Sequence, residues 1–373
     1  MSEVSAPGPA EGTRRARRGY LDWMRGLAVL IMIEAHVVDS WTRAADRDSW
    51  KYGWSTILGG FGAPLFLFLA GLSVVLSASA KFRKSGDRDA AWAAVMRRGF
   101  QIFVLAFVFR VQAWVLGMAP PWTLLRVDIL NIMGPAIMVT AAMWGMARTT
   151  RGRYFTFALA ALAMTFFTPI VRATALLAAL PDPIEAYIRP IKGLTNFVFF
   201  PWAGFVFGGA VIGLAIDGVR TAASEARLNT RLFLTGAALA AGACVASFLP
   251  SPYPRSDFWT SSPAFFLLRT GLMTAAIGAA YAWESWVKLP RWSPMQQLGR
   301  TSLFVYWIHV EMVYGLITLP IHRALSLGQA WMAFAAFCVL MLVCSIAKSR
   351  AVEWWRWRRT IAPAEAGAAS QSG

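Results

Sequence analysis

The sequence predicts an all-α integral membrane protein, a bundle of about ten transmembrane helices, and three observations carry that expectation. Of 373 residues, 57% are hydrophobic and only 15% are charged, where soluble domains run near 45–50% apolar and about 25% charged. Apolar runs long enough for a hydrocarbon core of about 30 Å, which takes roughly 20 helical residues, recur from end to end with no polar domain between them. The basic residues also fall unevenly between alternate loops, as the positive-inside rule requires. An ordinary soluble enzyme, a disordered chain and a collagen-like fibre are excluded.

The ten runs lie, in order, near 20–38, 56–79, 96–116, 128–147, 154–171, 197–216, 232–249, 263–283, 301–319 and 328–347. A Pro-rich stretch from Leu180 to Pro190 separates the fifth from the sixth and reads as interfacial. Residues 1–19 are expected to be a disordered basic tail, 20–347 the membrane domain, and 348–373 a basic, Trp-rich and then disordered tail. The N-terminus is expected not to be a cleavable signal peptide, because no small-residue cleavage site closes the first apolar run. The loop set that includes both tails holds 24 of the 36 basic residues and the other set holds nine, so both termini are expected to be cytoplasmic. The net charge of +17 then orients the bundle and calls for no nucleic-acid partner, and Trp354, Trp355 and Trp357 among arginines read as an anchor in the lipid interface. Cys244, Cys338 and Cys344 lie in apolar runs, are expected to be core residues, and form neither a disulfide pattern nor a zinc site. No internal repeat supports an inverted-repeat transporter.

A charge at the bilayer centre costs at least a few kcal/mol, so the ionisable residues inside the spans are the ones to read. The first run keeps four: Asp22, Arg25, Glu34 and His36. Eleven residues separate Arg25 from His36, a turn that returns to within about 20° of the same face while rising about 16 Å. The two therefore share one inward stripe. Asp22, three residues before Arg25, is placed to pair with it, and Glu34 points away from the stripe. Each has a bland alternative: an ion pair fixing the helix end, or a hydrogen-bonded structural histidine.

The segment YLDWMRGLAVLIMIEAHVVDSW at 20–41 resembles the R-x10-H motif of the transmembrane acyltransferase superfamily, which includes the acyltransferase-3 proteins. With GGFGAPLFLFLAGLS at 59–73, MRRGFQIF at 96–103, LRVDILNIMG at 125–134 and LGRTSLFVYWIHVEMVYG at 298–315, it resembles most closely the heparan-α-glucosaminide N-acetyltransferase catalytic-domain group (DUF1624-like). The resemblance implies a ten-helix enzyme of the bacterial-type inner membrane. Such an enzyme takes an acetyl or other acyl group from cytoplasmic acyl-CoA and passes it to a sugar or glycan acceptor on the far side. It also implies that Arg25 and His36 are functional. The stretch 37–53 lacks the loop histidine of the glucosaminide group, so that role falls to His36.

Acyl transfer needs a base for the attacking group, help for the carbonyl and a grip on the CoA phosphates. His36 is expected to be the general base or a transient acyl carrier. Asp128 and Asn131, at i and i+3 on the fourth run, either meet His36 and the acceptor or cap their helix. His309, which shares a face with Tyr306, is either a second proton-relay or thioester-contacting group or a buried structural histidine bonded to Tyr306. Arg126, Tyr306 and Trp41 are assigned with Asn131 to the acceptor, and Arg97, Arg98, Arg300 and Ser302 to the phosphates, arginine being suited to them by its two-pronged fork. Lys81, Arg83 and Lys84 are left to topology. The competing class is a transporter or flippase that uses Arg25, His36, Asp128 and His309 to pass protons or an anion.

Overall fold

The computed structural model describes residues 18–117, 120–287 and 292–371; the expectation for the basic N-terminal tail lies almost wholly outside them. The chain forms α1 (Gly19–Trp41), α2 (Trp50–Gly59), α3 (Gly62–Ser85), α4 (Arg88–Gly117), α5 (Ile129–Met146), α6 (Thr150–Ala173), α7 (Asp182–Ile188), α8 (Phe199–Gly218), α9 (Ala222–Ser247), α10 (Pro263–Val287), α11 (Pro294–Arg300), α12 (Ser302–Tyr314) and α13 (Leu327–Gln371). The protein is an all-α integral membrane protein. Among the described residues, eight helical segments are long and apolar enough to cross a bilayer, the joined α2–α3 among them.

The other two predicted spans differ from that eight for physical reasons. Helix α1 has 23 residues, a sufficient length, but it keeps Asp22, Arg25 and Glu34. The ninth predicted span is corrected: α12 has 13 residues, about 20 Å at 1.5 Å per residue. It stops at Gly315 and gives way to a 3-10 turn, Leu316–Ile321, that contains Pro320. The Pro-rich connection expected at the interface is α7, and the segment from 348, expected as a tail, continues α13.

Local chemistry sets the element ends. Asp128 and Asn131 form a capping box at the start of α5, as Thr221 and Ser224 do for α9, and Gly86 ends α3 at φ 69°, a left-handed value that glycine adopts without strain. Asp46 Oδ2 accepts the Leu327 backbone N–H at 2.8 Å, tying the loop after α1 to the first turn of α13.

The bundle is inverted relative to a soluble protein. Phe100, Val104, Val108 and Val111 on α4, and Phe155, Leu159, Leu162 and Phe166 on α6, point outward at helical spacing, surfaces that only lipid covers favourably. Cys244 is exposed with them, contrary to its expected core position, and Cys338 and Cys344 are half-buried.

Inside, small residues bring helices together, as in membrane packing generally. A Cβ on Gly71 of α3 would lie 1.8 Å from the Val206 carbonyl oxygen of α8, and one on Gly209 would lie 1.8 Å from that of Phe68. The reciprocal contact locks α3 to α8. Gly26 against Met295 (2.0 Å) and Gly299 against Asp22 (1.9 Å) do the same for α1 and α11.

Gly71→Val and Gly209→Val are therefore expected to cost about 1–3 kcal/mol or more, the range for overpacking a tight core. Gly242→Val, where nothing lies within 4 Å, should be nearly silent. Thermal unfolding in detergent measures all three.

Candidate active site

One large cavity of about 1480 Å³ runs between α1, α3, α4, α5, α12 and the segment 195–202. Its wall brings together the first, second, third, fourth and ninth predicted spans as α1, α3, α4, α5 and α12. Arg25 and His36 both line it, as their eleven-residue spacing requires.

His36 and His309 meet across 273 residues of sequence: His36 Nδ1 is 2.8 Å from His309 Nε2, with the rings 7° from parallel. The other nitrogen of His309, Nδ1, is 2.8 Å from the Val305 carbonyl oxygen. A carbonyl can only accept, so Nδ1 of neutral His309 carries the proton and its Nε2 is the acceptor. His36 must then donate through Nδ1, and its own Nε2 keeps the lone pair. This tautomer is assigned from the hydrogen-bond network. His309 is fully buried and does not line the cavity, whereas His36 does. Of the two alternatives for His309, contact with the thioester is therefore removed, and the expected bond to Tyr306 is replaced by one to Val305 and a ring contact at 5.9 Å. Tyr314, its ring 5.6 Å from that of His36, completes the wall.

Asp128 does not orient the imidazole. Its Oδ2 accepts from Arg110 Nη2 at 2.7 Å and its Oδ1 from the Ile129 backbone at 2.8 Å, so it caps α5 and holds Arg110 at the cavity wall. Asn131 and Trp41 leave the acceptor site. Asn131 is buried, closing the capping box and donating to Tyr187, and Trp41 donates to the Val313 carbonyl and packs on Phe337. Arg126 and Tyr306 do line the cavity, and Arg126 Nε is buried without a hydrogen-bond partner.

Arg25 sits about 16 Å from His36 along the helix axis. It donates to Asp22 Oδ1 and to Ser73 Oγ, each at 2.7 Å; Ser73 Oγ in turn donates to Leu69. Arg300 joins from the far side of Asp22 at 3.7 Å but does not line the cavity. Arg25 thus belongs to the end of the cavity that also carries Arg97, Arg98, Ser302 and Lys81, so Lys81 has more than topology to account for it. Ser73, Arg110, Asp39 and Tyr314 are lining or supporting residues that sequence reasoning passed over; Ser73 closes a quoted motif, and only Arg110 carried the signal of an intramembrane charge. Glu34 is buried against Gly59, off the stripe as expected.

The cavity therefore has a cationic end around Arg25, an opposite end of mixed charge around Asp39, Asp128 and Arg126, and the free lone pair of His36 near the latter. No curated protein matches the chain in sequence. The profile of the acyltransferase-3 family, described as an acyltransferase domain, matches residues 18–350, the stretch that contains both histidines and nearly the whole bundle, and the chain belongs to that family of membrane acyltransferases.

Proposed function

We propose that the protein transfers an acetyl or other short acyl group from cytoplasmic acyl-CoA to a sugar or glycan acceptor at the outer face of a bacterial-type inner membrane. The termini and the Arg25 end of the cavity face the cytoplasm in this reading. The observation that carries it is the continuous cavity in which the Nε2 lone pair of His36 stands between a cationic end and a mixed-charge end.

Lys81, Arg97 and Arg98 suit the phosphates of the donor, since guanidinium groups bind paired oxygens. Arg25, fixed by Asp22 and Ser73, lies deeper on the same path and is a positioning residue: its distance from His36 keeps it off the reacting carbonyl. A hydroxyl or amine of the acceptor attacks the thioester carbon while His36 Nε2 takes its proton. The tetrahedral intermediate collapses by breaking the C–S bond, and the imidazolium returns the proton to the leaving sulfur. His309 holds His36 in the tautomer this requires and stabilises the imidazolium through the same hydrogen bond. The lone pair would also serve transient acyl carriage, and single turnover with labelled acyl-CoA but no acceptor separates the two: a base leaves the protein unlabelled.

His36→Ala is expected to lower the transfer rate about 10²–10⁴-fold, the range for losing a general base, without changing the melting temperature by more than a few degrees. The rate should also fall as acidification protonates an imidazole that must start neutral. An unchanged rate in His36→Ala would overturn the mechanism. His309→Gln, whose amide oxygen can still accept from His36, should keep more kcat than His309→Phe, with KM for acyl-CoA similar in both; equal rates in the two variants would remove the positioning role. Arg97→Gln with Arg98→Gln should instead raise KM or Kd for acyl-CoA at least tenfold and weaken its dependence on salt. Calorimetric titration with acetyl-CoA reads this directly, and absence of binding to the parent protein would favour a transport role.

A further inference from the structure

A second pocket of about 200 Å³ adjoins the main cavity and shares Thr195, Asn196 and Trp202 with its wall. Two arginines line it: Arg172, in the last turn of α6, and Arg269, about two turns into α10. No carboxylate does. Arg269 Nε is buried without a hydrogen-bond partner, and the contacts of its guanidinium are with rings, 3.9 Å from the centre of Phe265 and 5.7 Å from that of Phe61. Arg172 Nε is likewise buried and unpartnered; its Nη2 donates to the Phe200 carbonyl over a long 3.4 Å.

Two guanidinium groups without an ion pair are costly in an apolar bundle, where such charges usually find a partner or a task. Asp257, the acid nearest Arg269 along the chain, acts on Arg172 through its charge but forms no ion pair with either arginine among the described residues; its Oδ1 accepts Thr260 Oγ1 at 2.8 Å. Arg269 also stands beside the end of α2, since a Cβ on Gly60 would come 3.0 Å from its Nη2. A helix C-terminus offers about half a negative charge to such a group, so Arg269 has part of its charge offset by the helix end and Arg172 part of its own by Asp257, and neither has a carboxylate in hydrogen-bond contact among the described residues.

We infer that this pocket binds a phosphate group carried by the acceptor. The inference rests on the acyl-transfer reading of the main cavity. Two planar forks meet a dianion or monoester in charge and geometry, and Ser262 stands in the same lining with a hydroxyl to donate. Trp202 and Trp259 supply rings on which a sugar or a polyprenyl chain can lie. Because the pockets share a wall, a phosphate seated between the arginines leaves the rest of the molecule in the main cavity, at the Asp128 and His36 end. The acceptor is then a phosphorylated sugar or a lipid-linked one.

Binding is measured on the full-length protein in a neutral detergent, without acyl-CoA, using inorganic phosphate, a hexose 1-phosphate, a polyprenyl phosphate and phosphatidylglycerol. At least one of the first three should bind, with Arg172→Gln and Arg269→Gln each weakening it tenfold or more and Lys84→Gln, an exposed charge outside both pockets, leaving it unchanged. Preference for the polyprenyl phosphate identifies a lipid-linked acceptor, and preference for the hexose phosphate a soluble one. If Arg269→Gln lowers the yield of folded protein, Arg269→Lys keeps the charge but loses the fork, and should bind several-fold more weakly than the parent. Failure of all three probes, or equal affinity in parent and folded variants, overturns the proposal, as does phosphatidylglycerol binding that matches the phosphate probes and ignores both arginines. Acyl-CoA binding that survives these failures leaves the acyl-transfer reading standing; phosphate binding without acyl-CoA binding sinks that reading alone.

Discussion

The hydrogen bond between His36 and His309 organises the functional half of this molecule. It joins the first helix to the twelfth, and its direction is set by the Val305 carbonyl, which fixes the far histidine in one tautomer. An imidazole pair in a bilayer-spanning bundle has little water to choose its protonation for it. The backbone makes the choice instead, and the consequence is a single nitrogen with a free lone pair on the wall of a large cavity. The shortness of α12 belongs to the same arrangement, for the chain is broken at Gly315 just beyond the histidine, which brings Tyr314 close to His36.

Around that pair two ion pairs hold charge at separate ends of the cavity. Arg25 is held by Asp22 and Ser73 at one end, and Arg110 by Asp128 at the other. Buried ion pairs contribute little net stability, because desolvation offsets their attraction, but breaking one leaves a costly lone charge. Their effect here is positional: each fixes a guanidinium at the wall of the cavity. The glycine contacts between α3 and α8, and between α1 and α11, supply the rigidity that these pairs presuppose.

Much of this was legible in the sequence wherever one helix contained the whole relation. The common face of Arg25 and His36, the pairing of Asp22 with Arg25, and Glu34 off the stripe all follow from 100° per residue. The capping role of Asp128 and Asn131 was open as one of two alternatives, and the structure takes it for both. What could not be read were relations across the fold. His36 and His309 are far apart in sequence, and nothing in either segment names the other as its partner. Trp41 was misplaced for a related reason: its position beside a motif says nothing of whether its ring meets a cavity or Phe337. The break after α12 left a signal in Gly315 and Pro320, but the run was apolar enough to be counted as a continuous span.

Arg172 and Arg269 show the same limit from the other side. In a charge count, one fell among loop residues and the other balanced the sum within the spans, and both were consumed by topology. Only the fold puts them in one pocket, with no carboxylate in its lining. In the proposed reaction the two pockets would divide the task of acyl transfer in a way that membrane physics favours. If the donor enters at the Arg25 end and the acceptor's phosphate is held beside the opposite end, neither polar molecule has to cross the hydrocarbon. Only the acyl group passes between them, at His36. Moving that small, uncharged group past a fixed lone pair needs no alternation of the bundle between two open states, consistent with a rigid core built on glycine contacts and with a chain that shows no internal repeat.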